Sequence, residues 1–405
     1  MAIFRYTARG SDGAVSRGQV VAATERELAE RLRQQGLTLT SARPANEQVP
    51  LLDRWLQRLQ GVPVVDKIFF TQNLGVMLRG GFSISRALGV LALQTNHRYF
   101  QHVILSIESD AEAGQSFSQA LRQHPRIFNE LFVNMIAAGE VSGKLDEVLK
   151  NLTVQMKKDH QLISKVRGSL TYPIIVVVAM IGAAITMMTY VIPKLLEIFE
   201  QNQAQLPLPT RILIAVSNAF QHYGLWLALG ILTLVGLLVA VGRTRFGRLR
   251  FDSLFLALPV AGSIIRKVNL VRFARSLSSM LSTDIPIIQS FQIISRTLSS
   301  IHYRQSMEEA SQALRTGAAI NKVLGRYPKL YPPLVEQMVA VGEESGTLDE
   351  VSKELASFFE EEVDQTMSNL STIIEPVLLL ILGAGVAAMA VAILLPIYSL
   401  SEQIT

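Results

Sequence analysis

One acidic, glycine-punctuated phrase occurs twice in this chain: AAGEVSGKLDEV from Ala137 to Val148, and AVGEESGTLDEV from Ala340 to Val351. Its carboxylates are Glu140, Asp146 and Glu147 in the first copy and Glu343, Asp349 and Glu350 in the second. Three kinds of chemistry fit such a set. Paired carboxylates carry general acid–base catalysis. Several carboxylates together hold calcium. Alternatively the phrase is a joint between helices: Gly139 and Gly143, like Gly342 and Gly346, permit a tight turn. Glu140 then accepts hydrogen bonds from free N–H groups at the start of the next helix, and Asp146 and Glu147 sit in that helix's first turn. Leu145 and Leu348 open that helix, and Asp349 repeats Asp146. Thr347 and Glu350 have capping-box spacing. No nucleophile or basic partner accompanies the carboxylates, and capping accounts for the spacing without further parts.

Other chemistry is sparse. GRTRFGRL, from Gly242 to Leu249, has the glycine spacing of a P-loop, but Arg248 and Leu249 stand where Lys and Ser or Thr are needed. A basic segment beside a membrane is the better reading. Six histidines form no HExxH or paired ligand spacing, and GxSxG is absent. With no cysteine in 405 residues, thiolate metal sites and disulfides are excluded. The sequence is read as non-enzymatic and without a cofactor.

The elements that position the phrase are partly membrane-borne. Mean hydropathy is +0.31, with 49% hydrophobic and 18% charged residues. Three windows lack Asp, Glu, Lys and Arg: between Arg167 and Lys194, Arg211 and Arg243, and Glu375 and Glu402. Each exceeds the ~20 residues a helix needs to cross hydrocarbon. Lys157, Lys158, Lys165 and Arg167 precede the first, and Arg243, Arg245, Arg248 and Arg250 follow the second. Positive-inside logic puts the connection between them outside the cytoplasm, with the N-terminus inside and the tail SLSEQIT outside. The same logic explains the net charge of +5 without nucleic acid. MAIFRYTARG has no apolar run of a cleaved signal. No carboxylate lies inside the spans; Glu375 sits at an edge and reads as interfacial. Small residues at Gly182–Ala184 and Gly383–Ala388 fit either packing within the chain or a groove for another membrane helix.

The duplication runs beyond the phrase. A constant shift of 203 (342 − 139) pairs Phe70 with Phe273, Leu74 with Leu277, Gly114 with Gly317, Pro173 with Pro376, and Pro193 with Pro396. The last four prolines mark the span boundaries. Helical periodicity and stop signals give a mainly α membrane protein with two duplicated cytoplasmic six-helix bundles, at 64–170 and 266–373. Spans follow at 171–193, 223–242 and 374–398. A periplasmic connection covers 194–222, a basic linker 243–265 and an outer tail 399–405. At the N-terminus, IFRYTARG and SRGQVVAA flank GSDG, and TERELAERLRQQG and LTLTSA follow. This reads as a small ββαβ unit at 1–44, linked through 45–63, where LLDRWLQRL is amphipathic.

The duplicated GExSGxLDEV phrase, the span after Pro173 or Pro376, and the ending LLPIYSL resemble the type II secretion F family, which includes pilus assembly protein C. These are inner-membrane platform proteins of type II secretion systems and type IV pili. NQAQLPLPTRILIAVSNAF is most like the branch serving mannose-sensitive haemagglutinin pili. The resemblance implies a small homo-oligomer beneath the filament, working with other inner-membrane assembly proteins. A cytoplasmic hexameric ATPase engages it, and pilin, prepilin or pseudopilin subunits are lifted from the membrane. In some relatives calcium is held by the motif Glu and by acids on the second helix. Glu140 matches that Glu, while Ser85 and Arg86 stand where the acids would be. The rival reading from the residues is a duplicated-module transporter or channel; a membrane-bound enzyme is third.

Overall fold

The computed structural model describes residues 2–10, 15–22, 29, 32–33, 37–44, 61–194 and 208–404. The GSDG turn, the amphipathic LLDRWLQRL, Thr24 and Glu27, and much of the connection after Lys194 lie outside them. The chain divides into two units, residues 1–62 with His97–Phe100, and the remainder.

The first unit carries a three-stranded antiparallel sheet of order β2-β1-β3: β1 (Ala2–Gly10), β2 (Val15–Ala22) and β3 (Leu37–Pro44). Phe4 pairs with Val20 on one side and with Pro44 on the other, and the β1–β3 register shifts between Thr7 and Ala8. Between β2 and β3 only Ala29, Leu32 and Arg33 are described, all helical, with Leu32 buried.

The second unit is helical and states one plan twice. The first copy comprises α1 (Val64–Arg79), α2 (Ile84–Gln94), α3 (Arg98–Glu112), α4 (Phe117–Arg122), α5 (Glu130–Ser142) and α6 (Leu145–Thr186). Then come α7 (Leu208–Arg243) and α8 (Arg245–Ala257). The second copy comprises α9 (Pro259–Leu281), α10 (Ile287–Thr297), α11 (Ile301–Arg315), α12 (Ile320–Leu324), α13 (Pro333–Ser345) and α14 (Leu348–Ile404). Local signals set the ends. Gly81, at φ 81, closes the turn after α1, and the Ser83 hydroxyl accepts from Arg86 N–H to cap α2. The helical spacing of Phe70, Leu74, Leu88 and Leu91 buries these side chains in the first copy, and Phe273, Leu277, Phe291 and Ile294 are buried in the second. Where Phe128 becomes Tyr331, Val103 becomes Ser306, and the two hydroxyls pair at 2.7 Å. A buried tyrosine thereby keeps its polar atom satisfied.

Three helical stretches are long and apolar enough to cross a membrane: Leu145–Lys194, Leu208–Arg243 and Leu348–Leu395. The last helix of each copy thus runs without interruption into a span. The helices run on through the prolines: α6 continues through Pro173, and α14 through Pro376 and Pro396. Pro193 has no N–H to give to Thr189, and the preceding Met187–Val191 widens into a π-turn, with Ile192 N–H reaching the Met187 carbonyl. The expected connection is helical from Leu208, and the expected basic linker holds α8 and the start of α9. Span two is tied to its neighbours: Thr210 donates to the Ala392 carbonyl at 2.7 Å and Ser217 to that of Met188 at 2.6 Å. The small residues do not pack within the chain at Gly182, Gly383 or Gly385, where nothing lies within 4 Å of an added Cβ.

Candidate functional site

The repeated phrase lies where α5 turns into α6 and α13 into α14. Its glycines do two different jobs. Gly143 (φ 69) and Gly346 (φ 73) adopt the left-handed conformation that ends each helix. Behind Gly143, Lys144 N–H reaches back to the Gly139 carbonyl at 3.0 Å, the Schellman closure of α5. Gly139 and Gly342 instead let two helices touch. A Cβ on Gly139 would lie 2.9 Å from Val148 Cγ2 and 3.3 Å from Leu145 Cα. On Gly342 it would lie 3.1 Å from Leu348 Cα and 3.2 Å from Val351 Cβ. Leu145 and Leu348 are thus the floor on which the glycines rest.

Glu140 caps a helix, but not the one expected. Lys144, at the N-cap of α6, makes no side-chain capping bond. Glu140 accepts instead from the other side of the copy, from Phe117 N–H at 2.6 Å and Ser118 N–H at 3.1 Å. These are the first two residues of the short α4. Ser116 Oγ accepts from Gln119 N–H, and Ala120 N–H begins the intrahelical ladder on the Ser116 carbonyl. The free N–H groups of Phe117, Ser118 and Gln119 at the start of α4 are therefore all satisfied. The second copy repeats the contact at the same shift: both Glu343 oxygens accept from Ile320 N–H, at 3.0 and 2.9 Å. Ala319 replaces the capping serine there and makes no side-chain bond. The carboxylate also meets the positive end of the helix dipole. Thr347 does not form the expected capping box; its hydroxyl pairs with that of Ser345 at 2.7 Å.

The remaining acids stand apart. Asp146 faces Arg79 at 3.5 Å on the surface. Glu147, Asp349 and Glu350 line an open cleft between the copies with Lys158 and Lys353. Among the described residues no group of three or more His, Asp or Glu could hold a metal ion. The P-loop-like glycines serve a turn: Thr244 Oγ1 accepts from Gly247 N–H at 3.0 Å, and a Cβ on Gly247 would lie 1.9 Å from the Val241 carbonyl oxygen.

Sequence reading missed the seam between the copies. Arg272 forks onto Asp159 (2.9 and 3.3 Å) and Arg296 onto Glu130 (3.0 and 3.1 Å). Lys158 meets Glu360 at 3.2 Å and Lys165 meets Asp364 at 2.6 Å. These partners are far apart in sequence, and the pairs do not repeat under the shift of 203. Only the unpaired excess of charge on α6 hinted at them.

Known proteins place this architecture. The family model described as type II secretion system (T2SS), protein F matches residues 70–193 and again 273–396, and its N-terminal domain matches 1–43. The chain is 33% identical to the type IV pilus assembly protein PilC of Thermus thermophilus, covering 99% of this chain and 98% of that protein. It is 32% identical to the PilC of Myxococcus xanthus, covering 99% and 95%. It is 30% identical to the type II secretion system protein F of Aeromonas hydrophila, covering 94% and 98%. With both duplicated halves matched and three apolar helices present, the chain belongs to the type II secretion system protein F family, the inner-membrane platform proteins of type IV pilus and type II secretion machines.

Proposed function

We propose that this platform protein is a mechanical coupler. Its two helical copies face the cytoplasm and receive a hexameric assembly ATPase. Their last helices carry the motion through the membrane to pilin or pseudopilin subunits entering the filament base. The N-terminus, with segment 1–44 as a small ββαβ unit, lies on the cytoplasmic side, and the C-terminus lies in the periplasm. Several copies act together with other inner-membrane assembly proteins. The protein supplies no active site of its own; the ATPase supplies the energy.

The observation that carries this reading is continuity. Leu145–Lys194 and Leu348–Leu395 each run as one helical stretch from the glycine joint to the far end of a span. A helix transmits displacement along its axis because each turn is hydrogen-bonded to the next. The acids at the joint are committed to capping and surface pairing, which favours a structural over a catalytic role. The test is deletion of the gene: surface filaments or secretion should be lost while the ATPase protein stays at its normal level. Normal filaments and secretion in the deletion would overturn the proposal.

A further inference from the structure

The two copies in one chain meet one-sidedly. The second copy presents α9, α10 and α14, and the first receives them on α5 and α6. The contacts are Arg272 on Asp159, Arg296 on Glu130, Ser276 with Gln155, Ser279 with Met135, and Glu360 with Lys158. A two-fold relation would make each contact occur twice, once in each direction. Among the described residues none of the reverse hydrogen bonds or ion pairs is formed. Of the residues that would make them, found by the shift of 203, Phe69 is 49% exposed, Val76 59%, Leu93 77% and Phe358 43%, while Asn73, Met338 and Glu362 are half-buried. Lys157 and Glu361 are exposed and make no ion pair among the described residues. Each chain therefore carries one unused presenting face, on its first copy, and one unused receiving face, on its second.

The two unused faces match at three of the five contacts translated by the shift of 203. Arg296 on Glu130 becomes Leu93 on Pro333, and Ser279 with Met135 becomes Val76 with Met338. Lys158 with Glu360 becomes Glu361 with Lys157, reversed in sign but still opposite. The other two do not match: Gln155 with Ser276 becomes Phe358 with Asn73, and Asp159 with Arg272 becomes Glu362 with Phe69, Glu362 being paired instead with Lys267 at 2.7 Å. The used pair of faces is joined mainly by charge; the unused pair offers Phe69, Val76, Leu93 and Phe358 as exposed apolar groups and one pair of opposite charges, Lys157 and Glu361. Exposed apolar groups that cluster on one face mark an interaction surface. We propose that a second copy of this chain docks here, its first copy's α1–α2 face seated on the α13–α14 face of the neighbour, repeating between chains the docking seen within one. Such a heterologous contact propagates into a ring when its rotation closes. This deepens the platform reading by naming the surface through which copies assemble.

The chain has no cysteine, so single-cysteine cross-linking starts from a clean background. Chains with Lys157→Cys and chains with Glu361→Cys, differently tagged, are co-expressed and cross-linked in membranes; Leu93→Cys with Pro333→Cys is a second pair. The expected product contains both tags. Products with a single tag only, or none from either pair, would overturn the docking. Lys157→Glu should lower the fraction of higher-order species in native mass measurements of the full chain, and Lys157→Glu with Glu361→Lys should restore it; a fraction indifferent to both also refutes the proposal. Filament loss on gene deletion is scored separately. Missing cross-links with filaments still dependent on the gene defeat the docking alone, whereas filaments without the gene defeat the platform reading.

Discussion

Replacing Glu140 by Ala should loosen one short helix selectively. The carboxylate holds two buried N–H groups, those of Phe117 and Ser118, at the start of a helix of six residues. A hydrogen bond to a charged group contributes about 1.5–3 kcal/mol, and a buried N–H left without a partner costs about 1–3 kcal/mol. Two bonds lost together lower the free energy of local opening by about 3 kcal/mol, which accelerates amide exchange roughly 10²-fold. Hydrogen exchange with mass spectrometry on the full-length protein in detergent should show this in the segment Gln115–Gln123. Glu140→Gln keeps one carbonyl oxygen and should give about half the effect in free energy. Glu343→Ala strands a single donor, Ile320 N–H, so its effect should be the smaller of the two. Glu147→Ala, on the exposed face of α6, is the control. Unchanged exchange in Gln115–Gln123, or equal responses to Glu140→Ala and Glu147→Ala, would refute the capping argument.

Three further outcomes are expected. Gly139→Leu or Gly342→Leu drives a side chain into Val148 or Leu348 and should destabilise the joint by about 1–3 kcal/mol; filament counts should fall while membrane fractionation shows normal insertion. Gly247→Val meets the Val241 carbonyl at once and should shift limited proteolysis to the turn between α7 and α8. Burial holds the pKa of His124 below its ordinary 6.5, with Asp110 acting in the opposite sense, and its Nε2 is buried without a partner. The folded pKa lies below the unfolded one, so protonation favours the unfolded chain. Stability is therefore full above 6.5 and falls as pH drops through the folded value. His124→Gln should flatten the thermal midpoint between about pH 7.5 and about pH 5.5.

Much of the fold could be read before the structure because its signals are local or periodic. The shift of 203 is carried by individual residues, and the matched family segments begin at Phe70 and Phe273, on that same shift. Ser83 and Gly143 announce helix ends through their own chemistry. The partner of Glu140 was not legible because it lies 23 residues upstream, beyond any capping spacing. One signal was available: Ala319 stands at the start of α12 where Ser116 stands in the first copy. A helix without a capping side chain needs an acceptor from elsewhere, and Glu343 is one of three acids of the phrase that recur in both copies. The helices run on through Pro173, Pro376 and Pro396 because a span tolerates Pro when neighbouring groups satisfy the freed backbone. The ion pairs between copies were invisible because neither partner repeats.

The joint and the seam together determine how the spans can move. Gly139 and Gly342 seat each lever against the preceding helix, and the 42 residues of α6 extend about 63 Å. The two levers touch along their length: Lys158 with Glu360, Lys165 with Asp364, and Ser169 with the Met367 sulfur at 3.3 Å. These contacts climb both helices in the same direction, so α6 and α14 run parallel and enter the membrane side by side. Exposed ion pairs contribute only about 0–1 kcal/mol each, too little to lock the pair against sliding. The bond between Ser217 and the Met188 carbonyl links α7 to the stretch that continues α6, and Thr210 links α7 to α14. On the proposed coupling, a push on either copy would reach all three spans through these bonds, and the seam of exposed pairs would be where one lever slips against the other without unseating its joint.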